Sequence, residues 1–136
     1  MLKLFKLILT AIVLYSCSST IYQNDGAIIF ISKTHDFGTI LLKNKTSCSY
    51  EFSNPGKTPL LISDVKTSCG CTVPEWPKKP ILPGAKGLIK VNYDATFPGV
   101  FHKTISVFYN GPDSPIELEI KGKVGFPDET TDDDKK

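Results

Sequence analysis

Period-two alternation of apolar and polar residues constrains this chain more than any other feature. In residues 47–53, Cys48, Tyr50 and Phe52 fall on one side and Ser47, Ser49, Glu51 and Ser53 on the other. Successive side chains of an extended strand point to opposite faces, so this is a strand with one face buried. The pattern returns in residues 87–93, where Ile89, Val91 and Tyr93 oppose Lys90 and Asn92. It returns again in residues 101–109, with Ile105, Val107 and Tyr109 against Thr104 and Ser106, and in residues 116–121, with Ile116, Leu118 and Ile120 against Glu117, Glu119 and Lys121. Residues 28–31, 34–40 and 60–66 add further candidate strands, Gly38 marking a turn or bulge. Pro55-Gly56 and Pro83-Gly84 separate strands; proline fixes φ at the second turn position and glycine accepts positive φ at the third, which predicts type II turns. Pro98-Gly99 and Asn110-Gly111-Pro112-Asp113 punctuate the later part, and no stretch carries a helical period. About seven strands at intervals of ~8–12 residues predict an all-β fold, an immunoglobulin-like β-sandwich over residues 28–124.

The N-terminus reads differently. Lys3 and Lys6 precede LILTAIVLY, an uncharged run at residues 7–15. A helix needs ~20 apolar residues to cross a bilayer, so the run fits the core of a secretory signal. Ser16-Cys17 follows directly, and a small residue before a cysteine at that place resembles a bacterial lipobox. The resemblance implies cleavage after residue 16 and acylation of Cys17, whose several chains would anchor the protein where one alone would not. The expected organisation is a signal over 1–16, a tether over 17–27, the domain over 28–124 and a polar, acidic, solvated tail over 125–136. The expected location is the cell envelope, with the periplasm-facing outer membrane favoured over the inner membrane because Ser18 carries no trusted retention signal. Of the 16 basic residues, Lys3 and Lys6 lie in the signal; the remaining 14 balance the 14 acidic ones. A chain without surplus cations lacks the counterion-releasing surface of general nucleic-acid binding.

With Cys17 acylated, Cys48, Cys69 and Cys71 remain. Cys48 shares the apolar face with Tyr50 and Phe52 and reads as a small buried hydrophobe. Cys69-Gly70-Cys71 is the sharpest local motif. In an extended segment its Cα atoms would lie roughly 6.5–7 Å apart, at the limit for a disulfide, and Gly70 is what would let the chain bend. Three readings stay open. The cysteines pack, or one of them pairs with Cys48; they are two thiolates of a soft Cu(I) or Zn(II) site, with His35, His102 and Cys48 as the auxiliary ligands on offer; or they exchange disulfides, though no thioredoxin-like βαβ unit surrounds them. The C-x₂-C zinc spacing is absent. Neither a Ser/His/Asp constellation nor a phosphate-binding glycine loop can be assembled. Trp76, between Pro74 and Pro77, is expected to plug one end of the sandwich.

Several of these segments taken together resemble a known family. Asp36-Phe37-Gly38-Thr39-Ile40, Tyr50-Glu51-Phe52-Ser53-Asn54-Pro55-Gly56 and Pro59-Leu60-Leu61-Ile62 lead to Ser68-Cys69-Gly70-Cys71-Thr72. Pro74, Trp76, Pro83-Gly84 and Gly122-Lys123-Val124 complete the pattern. Over roughly residues 34–124 the chain resembles the bacterial domain of unknown function numbered fifteen seventy-three, similar to hydin-type (ASH) immunoglobulin-like domains. Members are commonly signal-bearing proteins or lipoproteins of Bacteroidetes-like bacteria. The resemblance implies a fold and an exported location and no established activity; Cys48 lies outside its motif. The expectation is a non-catalytic interaction or structural module without a cofactor, tethered through Cys17 and meeting an envelope protein. The alternatives are soft-metal binding through Cys69 and Cys71 and, behind it, thiol–disulfide redox chemistry.

Overall fold

A computed structural model describes residues 25–127. The signal, Cys17, residues 17–24 of the tether and residues 128–136 of the tail lie outside the described residues. Eight strands run in chain order: β1 (Ile29–Phe30), β2 (Thr34–Leu41), β3 (Lys45–Ser53), β4 (Ile62–Thr67), β5 (Thr72–Glu75), β6 (Lys86–Asp94), β7 (Gly99–Tyr109) and β8 (Ile116–Gly125). They form two four-stranded sheets in the orders β1-β3-β6-β5 and β2-β8-β7-β4. The two faces enclose one core, as an immunoglobulin-like sandwich requires.

The alternation read from the sequence sorts residues between core and solvent as expected. On β3, Cys48, Tyr50 and Phe52 are buried; on β6, Ile89, Val91 and Tyr93; on β7, Ile105, Val107 and Tyr109; on β8, Leu118 and Ile120. Because β3 pairs with β6 in unbroken antiparallel register from Lys45↔Asp94 to Ser53↔Lys86, these sets form two continuous apolar rows. A one-residue slip would turn both rows to water. In that register Phe52 lies opposite Gly87, and a Cβ at Gly87 would collide with the Phe52 ring. Tyr93, Phe101 and Phe37 close one end of the core as a set of neighbouring rings, Tyr93 and Phe101 stacked at 4.3 Å.

The first two strands are one length of chain that changes sheets. β1 pairs antiparallel with β3, whereas β2 runs parallel to β8. The expected irregularity at Gly38 is a shift of register between Asp36 and Thr39. Gly38 has φ 61° there, and its N–H donates to Asp36 Oδ1 at 2.8 Å. The count exceeds the expected seven because β5 is a strand the alternation does not reveal: it is four residues long and contains Pro74. Proline is tolerated there because β5 is an edge strand.

Pro83-Gly84 makes the expected turn, with Gly84 at φ 76° and Ala85 N–H donating to the Leu82 carbonyl at 3.0 Å. Pro55-Gly56 does not. Gly56 is absent from the positive-φ glycines Gly38, Gly84 and Gly99, and its N–H instead donates to Asn54 Oδ1 at 2.9 Å. A side-chain acceptor two residues back has replaced the backbone turn. Asn54 is fully buried and does more: its Nδ2 donates to the carbonyls of Thr58 (2.8 Å) and Ile81 (2.9 Å). Its backbone also bonds Ala85 and Gly84. One side chain therefore locks the loop after β3 to the loop before β6. A polar bond also joins the two sheets directly, the Tyr50 hydroxyl of β3 donating to the Glu119 carbonyl of β8 at 2.6 Å.

Asn54→Ala should lower stability by roughly 2–4 kcal/mol in urea titrations, because it leaves buried backbone groups unpaired. Stability should also fall in alkali. Burial raises the Cys48 thiol above its ordinary 9.0 and the Tyr50 phenol above its ordinary 10.0. The folded state thus holds both protons more tightly than the unfolded chain. Their contribution is intact below about pH 9 and is lost as pH rises beyond it. Midpoints measured from pH 7 to 11 check this, and Tyr50→Phe should flatten the loss.

Candidate functional site

The chain crosses from one sheet to the other between β4 and β5, and Cys69-Gly70-Cys71 sits in that crossing. Both ends of the crossing are pinned by backbone bonds. Ser68 N–H donates to the Thr104 carbonyl on β7 (3.0 Å), and Thr104 N–H donates back to Ser68 Oγ (3.1 Å). On the far side, Asp94 N–H donates to the Cys71 carbonyl at 2.9 Å. Between these anchors the chain makes a tight turn closed by Thr72 N–H on the Cys69 carbonyl, 3.3 Å. The Thr67 hydroxyl braces it, lying 2.9 Å from the Cys69 carbonyl and 3.2 Å from that of Thr72.

The turn decides the state of the sulfurs. It brings the two Cα atoms to 5.3 Å, well inside the separation a straight strand would impose, and Cys69 and Cys71 are joined as a disulfide. Cys48 is buried and free. Pairing of Cys48 with either member of the motif is therefore corrected: it lies inside the core on β3 while the motif spends its sulfurs on itself. The disulfide is half-buried, and Cys71 packs against the edge of the core. Thr72, only 3% exposed, places its hydroxyl 3.4 Å from Cys69 Sγ and 4.0 Å from Cys71 Sγ. A disulfide sulfur has no hydrogen to give, so the hydroxyl is the donor, and it favours Cys69.

The proposed auxiliary ligands are not gathered at this turn. His35 lies on β2, edge-on to Phe37 at 4.5 Å. His102 is exposed on β7, with Nε2 3.2 Å from Glu119 Oε2. Cys48 is in the core. Among the described residues no group of three or more His, Cys, Asp or Glu is placed to hold a metal ion. Trp76 meets its expectation halfway: it is partly buried against the core, and Lys78 Nζ lies over its outer face, 3.0 Å from the ring centroid.

Two groups of residues escape sequence reasoning. Thr67 and Thr72 flank the cysteine motif and set the turn, and hydroxyl residues around a tight turn were the available signal. The second is a pair of large apolar side chains where the chain enters β7, Phe97 in the β6–β7 connection and Val100 second in the strand. Phe97 is 80% exposed and Val100 87% exposed. They stand at the Gly99 end of β7, whereas Gly26 N–H donates to the Asn110 carbonyl just past its Tyr109 end. A strand of 11 residues separates the two ends by roughly 35 Å.

A family model described as "Protein of unknown function (DUF1573)" matches residues 28–124. Among curated proteins none matches the sequence. Solved structures share the fold. A protein of unknown function from Porphyromonas gingivalis W83 superposes with a TM-score of 0.66 at 19% identity, covering 77% of this chain and 50% of that one. The chain thus spans about half of that protein's length. The ASH/PapD-like domain 7 of human CEP192 gives 0.64 at 8% identity, covering 76% and 88%. The VesB protease of Vibrio cholerae gives 0.57 at 16% identity, covering 74% of this chain and only 32% of the protease. At these identities the likeness is one of fold.

The disulfide closes a loop of very few residues, so it removes little entropy from the unfolded chain. Cys69→Ser/Cys71→Ser should lower stability by no more than about 1.5 kcal/mol, read as a shift in urea midpoint. The loop should stay ordered, because its backbone bonds do not use sulfur.

Proposed function

The chain belongs to the DUF1573 family of proteins of unknown function, and we propose that it is a non-catalytic protein-interaction module held at the cell envelope by lipid on Cys17. The observation that carries this reading is the placement of Phe97 and Val100. Single exposed apolar residues are ordinary on a protein surface. Two that are 80% and 87% exposed, a few residues apart in the chain at the Gly99 end of β7, offer apolar surface of the kind partners bury. Their position supports the anchoring as well. The described chain enters beside Asn110, at the opposite end of the sandwich. A lipid on Cys17 would hold that end to the membrane, leaving the Phe97 end to face the periplasm. The immunoglobulin-like fold, shared with an ASH/PapD-like domain, offers loops and strand edges on which a partner can dock.

Soft-metal binding is the weaker reading. It requires reduction of the disulfide and further ligands, and His35, His102 and Cys48 do not converge on the turn.

Cys17→Ala should shift the protein from the membrane to the soluble fraction, and the membrane-extracted wild type should have a mass matching a chain that starts at acylated Cys17. A mass that retains residues 1–16 would refute the anchor. A photoreactive side chain at position 97 should crosslink to one envelope protein, and Val100→Asp should lower that yield at least tenfold without changing the unfolding midpoint. Equal crosslinking from an exposed position at the other end, such as Pro112, would refute the interaction surface.

A further inference from the structure

We infer that the Cys69–Cys71 disulfide is a thiol–disulfide exchange site that takes electrons from a dithiol, with Cys71 the sulfur attacked and Cys69 the leaving thiolate. Two observations set this direction. Cys71, and not Cys69, lines a surface pocket of about 170 Å³ with Gly70, Val73 and Asn92, which leaves room for an incoming group beside Cys71. Cys69 Sγ is the sulfur nearer the Thr72 hydroxyl, at 3.4 Å against 4.0 Å for Cys71. A hydrogen bond to a developing thiolate lowers its basicity, and the less basic sulfur leaves faster. Lys45 and Asp94 both border the pocket, so an approaching thiolate meets charges of both signs.

The chemistry balances as follows. One thiolate of the dithiol attacks Cys71 Sγ; the Cys69–Cys71 bond breaks and its electron pair leaves on Cys69 Sγ, facing Thr72. The second thiolate of the same dithiol then displaces Cys71 from the mixed disulfide. The dithiol is oxidised to a disulfide, and its two protons end on Cys69 and Cys71. The turn is built to survive this step. Bonds from Thr104, Asp94, Thr67 and the Thr72 amide hold the loop without the sulfurs. The reduced thiols stay adjacent and ready to close again.

The test uses the purified full chain. Dithiothreitol should reduce the pair at a rate first order in dithiol, under conditions where far-ultraviolet dichroism is unchanged. Limiting glutathione, quenched with an alkylating agent, should leave glutathione on Cys71 and the alkyl group on Cys69. Thr72→Val, which keeps the shape and removes the hydroxyl, should slow reduction about tenfold, and Thr72→Ser should restore it. Cys48→Ala should leave the rate unchanged. Glutathione on Cys69, a Thr72→Val rate equal to wild type in a protein with an unchanged unfolding midpoint, or reduction only after unfolding would each overturn the assignment.

Discussion

A sandwich of two sheets buries its inner faces only if the chain can pass from one sheet to the other without stranding backbone polar groups. Each crossing leaves the ladders, and every N–H and C=O it carries into the interior needs a partner from elsewhere. In this protein short polar side chains supply those partners. Asn54 serves the loop that follows β3 and, through the Ile81 carbonyl, the loop that precedes β6. Asn110, from the β7–β8 hairpin, serves the same β3–β4 crossing, its Oδ1 accepting from Leu61 N–H at 2.8 Å and its Nδ2 donating to the Pro59 carbonyl at 3.0 Å. Thr67 and Ser68 serve the β4–β5 crossing. The apolar rows supply most of the favourable free energy, but these few polar groups let the rows face each other.

That division of labour explains what could be read from the sequence. Burial of alternate side chains is a local, periodic property, so β3, β6, β7 and β8 were legible residue by residue, down to the inward placement of Tyr50 and Val107. The crossings are not periodic. Asn54 in Asn-Pro-Gly reads as an ordinary turn residue, and only the fold brings Ile81 within 2.9 Å of it, 27 positions away. The same reason hides β5, whose pairing with β6 is fixed by where the cysteine turn releases the chain rather than by any pattern in Thr-Val-Pro-Glu. The motif itself was visible; its partners were not. Spacing in an extended strand puts the cysteines at the edge of bonding distance, and the turn that closes the gap depends on Thr67 and on anchors contributed by β6 and β7.

The two ends of the sandwich also differ in kind. At the Tyr109 end, Gly26 and Asn110 tie the entering chain to the β7–β8 connection. Toward the Gly99 end lie the exposed Phe97 and Val100, and the cysteine crossing is bonded at Cys71 to Asp94, the last residue of β6, from which the Phe97 connection leaves. A long antiparallel strand is a rigid spacer, so the entering chain at one end and the exposed groups toward the other hold a fixed separation. A partner engaged near Phe97 would approach the half of the molecule that carries the disulfide.

The cysteines show how one element takes opposite chemical roles from its surroundings. Cys48 lies inside a paired strand, where burial raises its thiol and keeps it protonated and unreactive. Cys69 and Cys71 sit where the chain has left both ladders, with one hydroxyl nearby and solvent within reach. Sequence spacing alone distinguishes the close pair from the distant third, but not the inert sulfur from the reactive ones. That distinction follows from the crossing: a segment forced out of the sheets to change layers is also the segment whose side chains are left accessible. The structural cost of joining the two sheets and the opportunity for sulfur chemistry therefore fall on the same few residues.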